Sequence, residues 1–150
     1  MIIRLCLVSA LAMALSANAP ISDRDFALDP ILPNDPNIPN PGYSCFLLSD
    51  GMEFLTISLG PFPAIRFKPD GRLLIKAIGS DKFRWMQEFG FEVDGVTTTE
   101  GSVNIPDYQI TLRRTGEIRE LIDGQSIPVS VTVAHKAFEA AVSGRWACGG

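Results

Sequence analysis

The sequence predicts a mainly β domain, a small antiparallel barrel or sandwich of about eight strands with one short C-terminal helix. Two observations carry this. Asp-Gly occurs four times, at 50–51, 70–71, 94–95 and 123–124, and Asp-Gly between apolar runs is a strong hairpin signal because both residues tolerate positive φ. The runs between these turns are short and rich in β-branched and aromatic residues, which suits strands. At 150 residues with 46% hydrophobic and 20% charged side chains, the chain is long enough to bury one core.

The first nineteen residues read as an export signal. Arg4 precedes the apolar run 5–17, LCLVSALAMALSA, and Ala17-Asn18-Ala19 is an A-x-A cleavage site, although Pro20 would follow that cut. The apolar run has 13 residues, short of the roughly 20 that span a bilayer. No membrane span is therefore expected after cleavage, and the expected location is secreted or periplasmic.

Residues 20–42 hold six of the eleven prolines, and they carry Asp23, Asp25, Asp29 and Asp35 against Arg24 alone. Proline removes ladder donors and fixes φ, so this acidic segment is expected to be an extended, solvated spacer. The folded domain is then 43–150.

Within that domain the expected strands are 44–48, 52–59, 64–68, 72–78, 82–93, 96–100, 108–113, 117–122 and 127–133. In the 64–77 hairpin, a three-residue loop at Pro69-Asp70-Gly71 would set Phe67 against Leu73 and Ile65 against Ile75. The opposite surface would then collect Arg66, Lys68, Arg72 and Lys76. In 82–94, KFRWMQEFGFEVD, strand alternation places Phe83, Trp85, Phe89, Phe91 and Val93 on one side. A helix over Phe83, Met86 and Phe89, stopped by Gly90, competes with that strand. Residues 134–144, AHKAFEAAVSG, are rich in helix formers and end at Gly144, which predicts the short helix.

Cys6 lies inside the export signal, so Cys45 and Cys148 remain as an even pair. In an oxidising compartment they are expected to form a disulfide that closes the domain.

Chemistry is sparse. His135 is the single histidine, and it follows Val129, Val131 and Val133 on one strand face, so a packed histidine is expected rather than a base. Clustered ligands for zinc or iron are missing from the sequence, and so are a nucleophile elbow and a phosphate-binding glycine loop. No cofactor and no metal are expected. With a net charge of −4 there is no basic field of the kind that attracts nucleic acid.

Two residue sets remain as candidate sites. Arg66, Lys68, Arg72 and Lys76 form a candidate face for an anionic partner, unless Glu88 or Glu92 neutralises it. Phe83, Trp85, Phe89 and Phe91 either fill the core or line a cavity for an apolar ligand.

Tyr43-Ser44-Cys45 near the domain start and Cys148 near its end resemble the pattern in periplasmic inhibitors of c-type lysozyme, which are small exported β-barrels. The resemblance covers those positions alone and carries no functional residue over. The expected function is non-catalytic binding of an extracytoplasmic protein or anionic envelope component. An apolar-ligand carrier and a small carboxylate-based hydrolase are the alternatives.

Overall fold

The computed structural model describes residues 26–149 apart from 91, 122 and 123. The expected export signal, 1–19, lies outside the described residues, as does Phe91. The strands are β1 (Leu28–Asp29), β2 (Tyr43–Ser49), β3 (Met52–Leu59), β4 (Ala64–Pro69) and β5 (Leu74–Ala77), followed by helix α1 (Ser80–Glu88). After it come β6 (Glu92–Val93), β7 (Val96–Thr97), β8 (Glu100–Ile105), β9 (Tyr108–Arg114), β10 (Arg119–Leu121), β11 (Gly124–His135) and β12 (Phe138–Gly149).

All but β6 and β7 join one ten-stranded antiparallel sheet, whose main path runs β1-β4-β3-β2-β12-β11-β9-β8. The sheet is not closed. It curls, so that Phe67 of β4 meets Tyr108 of β9 edge to face, with ring centroids 5.2 Å apart. The concave side buries Cys45, Leu47, Leu55, Ile57, Ile65, Phe67, Ile110, Leu112, Ile127, Val129, Val131, Val133 and Trp146. Cys45 and Cys148 are register partners on β2 and β12 and are joined by a disulfide across 103 residues of sequence.

Three of the four Asp-Gly pairs form turns as their chemistry dictates, and Asp123 of the fourth lies outside the described residues. At 50–51, 70–71 and 94–95 both residues have positive φ, the requirement of a two-residue hairpin whose twist matches its strands. This corrects the expected register of the 64–77 hairpin. With Asp70 and Gly71 as the whole turn, Phe67 pairs with Leu74, Arg66 with Ile75 and Ile65 with Lys76. A one-residue slip moves every β5 side chain to the other face, so Lys76 leaves the face that carries Arg66.

The stretch 82–93, expected as a strand, is instead α1 over its first part. Phe83, Met86 and Phe89 are buried at i, i+3 spacing. Asp81 sits in the first turn, where its charge suits the helix dipole, and Gly90 with φ +80° ends the turn. The helix covers the concave side: Trp146 Nε1 donates to the Met86 carbonyl at 3.0 Å. Trp85 packs over β8, where a side chain at Gly101 would run 2.0 Å from the indole. Among the described residues this is the single helix, and it lies in mid-chain rather than near the C-terminus.

Residues 134–144, expected as that helix, form instead the end of β11, a turn, and much of β12. Residues 138–144 pair with 129–135 of β11 along their whole length, and β9 pairs the far side of β11 from Val129 to Ala134. That continuous ladder outweighs alanine's helix preference. Lys136, with φ 55°, takes the left-handed turn position.

Residues 26–42, expected as part of a solvated spacer, pack against the domain. Leu28–Asp29 pairs with Lys68–Pro69, Ile31 bridges to Glu53, and Leu28, Ile31 and Ile38 are buried. Prolines end the pairing after two or three residues, and the segment then crosses the convex side of β2, β3 and β4 as a strap.

Candidate functional site

The convex side of β2–β4 begins as an ordinary polar sheet face. Alternation places Ser44 and Phe46 of β2, Thr56 and Ser58 of β3, and Arg66 and Lys68 of β4 there. The strap turns this face into an enclosed one. Ser44, Thr56, Ser58 and Arg66 are all buried, although none of them faces the apolar core.

Close packing and hydrogen bonds hold the strap at Gly42 and again at Asp35. A side chain at Gly42 would run 1.9 Å from the Leu59 carbonyl oxygen, so only glycine allows this approach. The Gly42 amide donates to Ser58 Oγ at 3.2 Å, and Ser44 Oγ donates to the Gly42 carbonyl at 3.0 Å. Further along, Lys68 Nζ donates to Asp35 at 2.9 Å.

Between strap and sheet lies a pocket of about 300 Å³, lined among others by Asn37, Ile38, Ser44, Phe46, Glu53, Thr56, Ser58 and Arg66. A second cleft of about 500 Å³ lies beside it and shares Asn37, Glu53 and Arg66. These three residues therefore stand between the two spaces.

Glu53 reaches this face through a β-bulge. The β2–β3 register shifts between Leu47 and Leu48, so that Leu47 pairs with Leu55 while Leu48 pairs with Glu53. A bulge re-aims the side chains beyond it. Here it brings Glu53 to the Thr56 side of β3, where Thr56 Oγ1 donates to Glu53 Oε1. Without the bulge, Glu53 would share the inner face with Leu55 and Ile57.

The electrostatics of Arg66 are unbalanced. Its side chain is only 8% exposed. Nη1 donates to Asn37 Oδ1, and Nη2 stands 3.8 Å from Glu53 Oε1, a distance for attraction but not for a hydrogen bond. Nε is buried with no acceptor among the described residues. A guanidinium carries five N–H donors, and among the described residues this one has a single hydrogen-bonded acceptor. Burial pushes the Glu53 carboxyl above its ordinary value, against the opposing pull of Arg66. The pair is thus loosely coupled.

Of the expected anionic-partner face, the structure brings together Arg66 and Lys68 alone. Arg72 is exposed just after the turn, and Lys76 is opposite Ile65. The neutralising acids are Glu53 and Asp35 rather than Glu88, which pairs with Arg84.

Of the aromatic set, Phe83 and Phe89 are core residues. Trp85 is partly buried against that core and packs on Phe89, with centroids 5.8 Å apart. His135 stacks on Tyr108 at 4.7 Å, and its Nδ1 meets the Asp107 carbonyl at 2.7 Å.

Sequence reasoning missed Asn37, Ser44, Phe46, Glu53, Thr56 and Ser58 as members of one site. Ser44, Phe46, Thr56 and Ser58 do follow strand alternation, and a buried-looking polar face is the signal that could have grouped them.

No protein-family model, curated protein or solved structure matches this chain. Among the described residues, no helix is long and apolar enough to cross a membrane, and no group of three or more His, Cys, Asp or Glu is placed to hold a metal ion.

Proposed function

We propose that this chain is an exported, non-catalytic binding domain that holds an anionic group of an extracytoplasmic protein or envelope component in the pocket beneath its strap. The observation that carries the reading is Arg66, a buried guanidinium lining the pocket with fewer acceptors than donors. Leaving a buried charged donor unmatched is costly, and an incoming carboxylate or phosphate would supply the acceptors. Export is supported by the leader-like sequence of 1–19 and by the single disulfide.

Binding is preferred to hydrolysis because Glu53 is the one carboxylate lining this pocket among the described residues, whereas glycoside hydrolysis ordinarily uses two. An apolar-ligand carrier is less favoured because Phe83 and Phe89 are spent on the core.

The test is isothermal titration calorimetry of the oxidised protein with acetate and with inorganic phosphate at constant ionic strength. Saturable binding of at least one anion, lost in Arg66→Gln while that variant stays folded, supports the reading. No saturable binding of either anion, or equal binding by the variant, would overturn it.

A further inference from the structure

The pocket holds more than a cation. Thr56 is the register partner of Arg66, and Ser58 is that of Ser44. Two rungs of the sheet thus present a guanidinium and a hydroxyl on one, and two hydroxyls on the other, about 7 Å apart along the strand. The Ser44 and Ser58 hydroxyls lie 3.0 Å from each other. Glu53 adds an acceptor beside the guanidinium, and Asn37 an amide.

A bare phosphate or sulfate would use only part of this set, because such an ion brings acceptors for Arg66 but, when fully ionised, no hydrogen to donate to Glu53. The set suits a ligand that joins one carboxylate to several hydroxyls, because a hydroxyl can donate to Glu53 and accept from the Asn37 amide, whose Oδ1 is taken by Arg66. The remaining wall is apolar: Ile38, Pro41 and the half-buried ring of Phe46. That wall gives the C–H face of a sugar ring a surface on which to lie.

We infer that the ligand is an acidic sugar residue, a uronic-acid-like unit of an extracytoplasmic polysaccharide or glycan, with its carboxylate on Arg66 and its ring against Phe46. The inference rests on the anion-binding reading above and narrows it. The space of about 300 Å³ is at the small end of ligand pockets and fits one such unit. The adjoining cleft, which shares Asn37, Glu53 and Arg66, provides room for the next unit of a chain.

The discriminating experiment titrates the oxidised protein calorimetrically with free glucuronate and galacturonate, with glucose and galactose, and with acetate, all at matched ionic strength. At least one uronate should bind saturably, and at least about tenfold more tightly than its neutral parent or acetate. Phe46→Ala should weaken the uronate about tenfold and leave acetate unchanged. Phe46→Leu, which keeps an apolar side chain on the sheet, should give an intermediate loss and guards against misfolding of the alanine variant. Arg66→Gln should abolish uronate binding.

If acetate binds as tightly as the uronates and neither Phe46 variant matters, the sugar inference falls while the anion pocket stands. If the neutral parents bind as well as the uronates, the carboxylate has no role and the inference also falls. If no anion binds, both readings fall together.

Discussion

Two ion pairs lie two residues apart on β4 and on the same convex face, and they have opposite character. Lys68 donates to Asp35 at 2.9 Å. Asp35 also accepts the Leu32 amide at 2.7 Å, and that backbone hydrogen bond, reinforced by Lys68, holds its carboxyl below the ordinary value. Arg66 and Glu53 stand 3.8 Å apart, and burial raises the Glu53 carboxyl. The first pair is satisfied and serves as a latch for the strap. The second is under-satisfied and faces a pocket. Charge on a sheet face therefore does not by itself mark a binding surface. The balance of donors and acceptors around each charge does, and it singles out Arg66.

The disulfide sets the largest scale, because it staples β2 to β12 at the sheet that carries both pairs. Closing a loop of about 100 residues is worth about 4–5 kcal/mol in the chain-entropy model. Reduction should lower the denaturation midpoint strongly in the native chain and equally in Arg66→Gln and Lys68→Gln. A reduction effect that differs between those variants would mean that the pairs are coupled to the staple.

Next in size is the strap. Ile38 is buried at 3% exposure, and Ile→Ala at such a site costs about 2–5 kcal/mol. Ile38→Ala should show that loss in urea denaturation and should also weaken anion binding, since Ile38 lines the pocket. A neutral Ile38→Ala would return residues 26–42 to the status of a spacer.

The two pairs should then separate under single substitutions. Lys68→Gln should destabilise the fold and speed proteolytic cleavage within the strap, because Asp35 loses its partner. Arg66→Gln should cost less than Lys68→Gln, because losing the Asn37 contact and the charge beside Glu53 is offset by removal of an unmatched buried donor. The reverse ranking by thermal melts would exchange the roles of latch and site.

The smallest effect is in pH dependence, where the signs are opposite. Asp35 has a lowered folded-state value, so its contribution is present above the unfolded carboxylate pKa of about 3.9 and is lost as pH falls through the folded value. Glu53 has a raised value, so its contribution is full below about 4.3 and is lost as pH rises through the folded value. Asp35→Asn should therefore lie below the native midpoint at neutral pH and converge with it in acid. Glu53→Gln should instead gain on the native protein as pH rises. Parallel pH profiles for both variants would contradict the assignment.

How much of this was legible in the sequence depended on whether the deciding interaction was local. Asp50-Gly51, Asp70-Gly71 and Asp94-Gly95 announced their hairpins because tolerance of positive φ is local to those residue types. The β4–β5 register was not legible, since Pro69-Asp70-Gly71 and Asp70-Gly71 are both workable loops and differ by one residue. In 82–89 the helical and alternating patterns share Phe83 and Phe89. The choice was made elsewhere, by Gly101 admitting Trp85 and by Trp146 donating to the Met86 carbonyl. The β11–β12 hairpin hid behind alanines and a turn at Lys136 without glycine. The pocket was the least legible part, because Glu53 enters it only through a bulge and Asn37 only through a strap whose prolines suggested solvent. Arg66 and Lys68 were legible as a pair on one face, but not the difference between them.

The most direct test of that difference is a side-chain NMR titration that follows the Arg66 Nε–Hε signal and the Lys68 Nζ signal as glucuronate is added to the oxidised protein. The expected result is a saturable shift at Arg66 Nε–Hε, together with the Asn37 and Thr56 amides, while Lys68 stays fixed on Asp35. A shift centred on Lys68 and Arg72, linear in ligand and erased by salt, would contradict it.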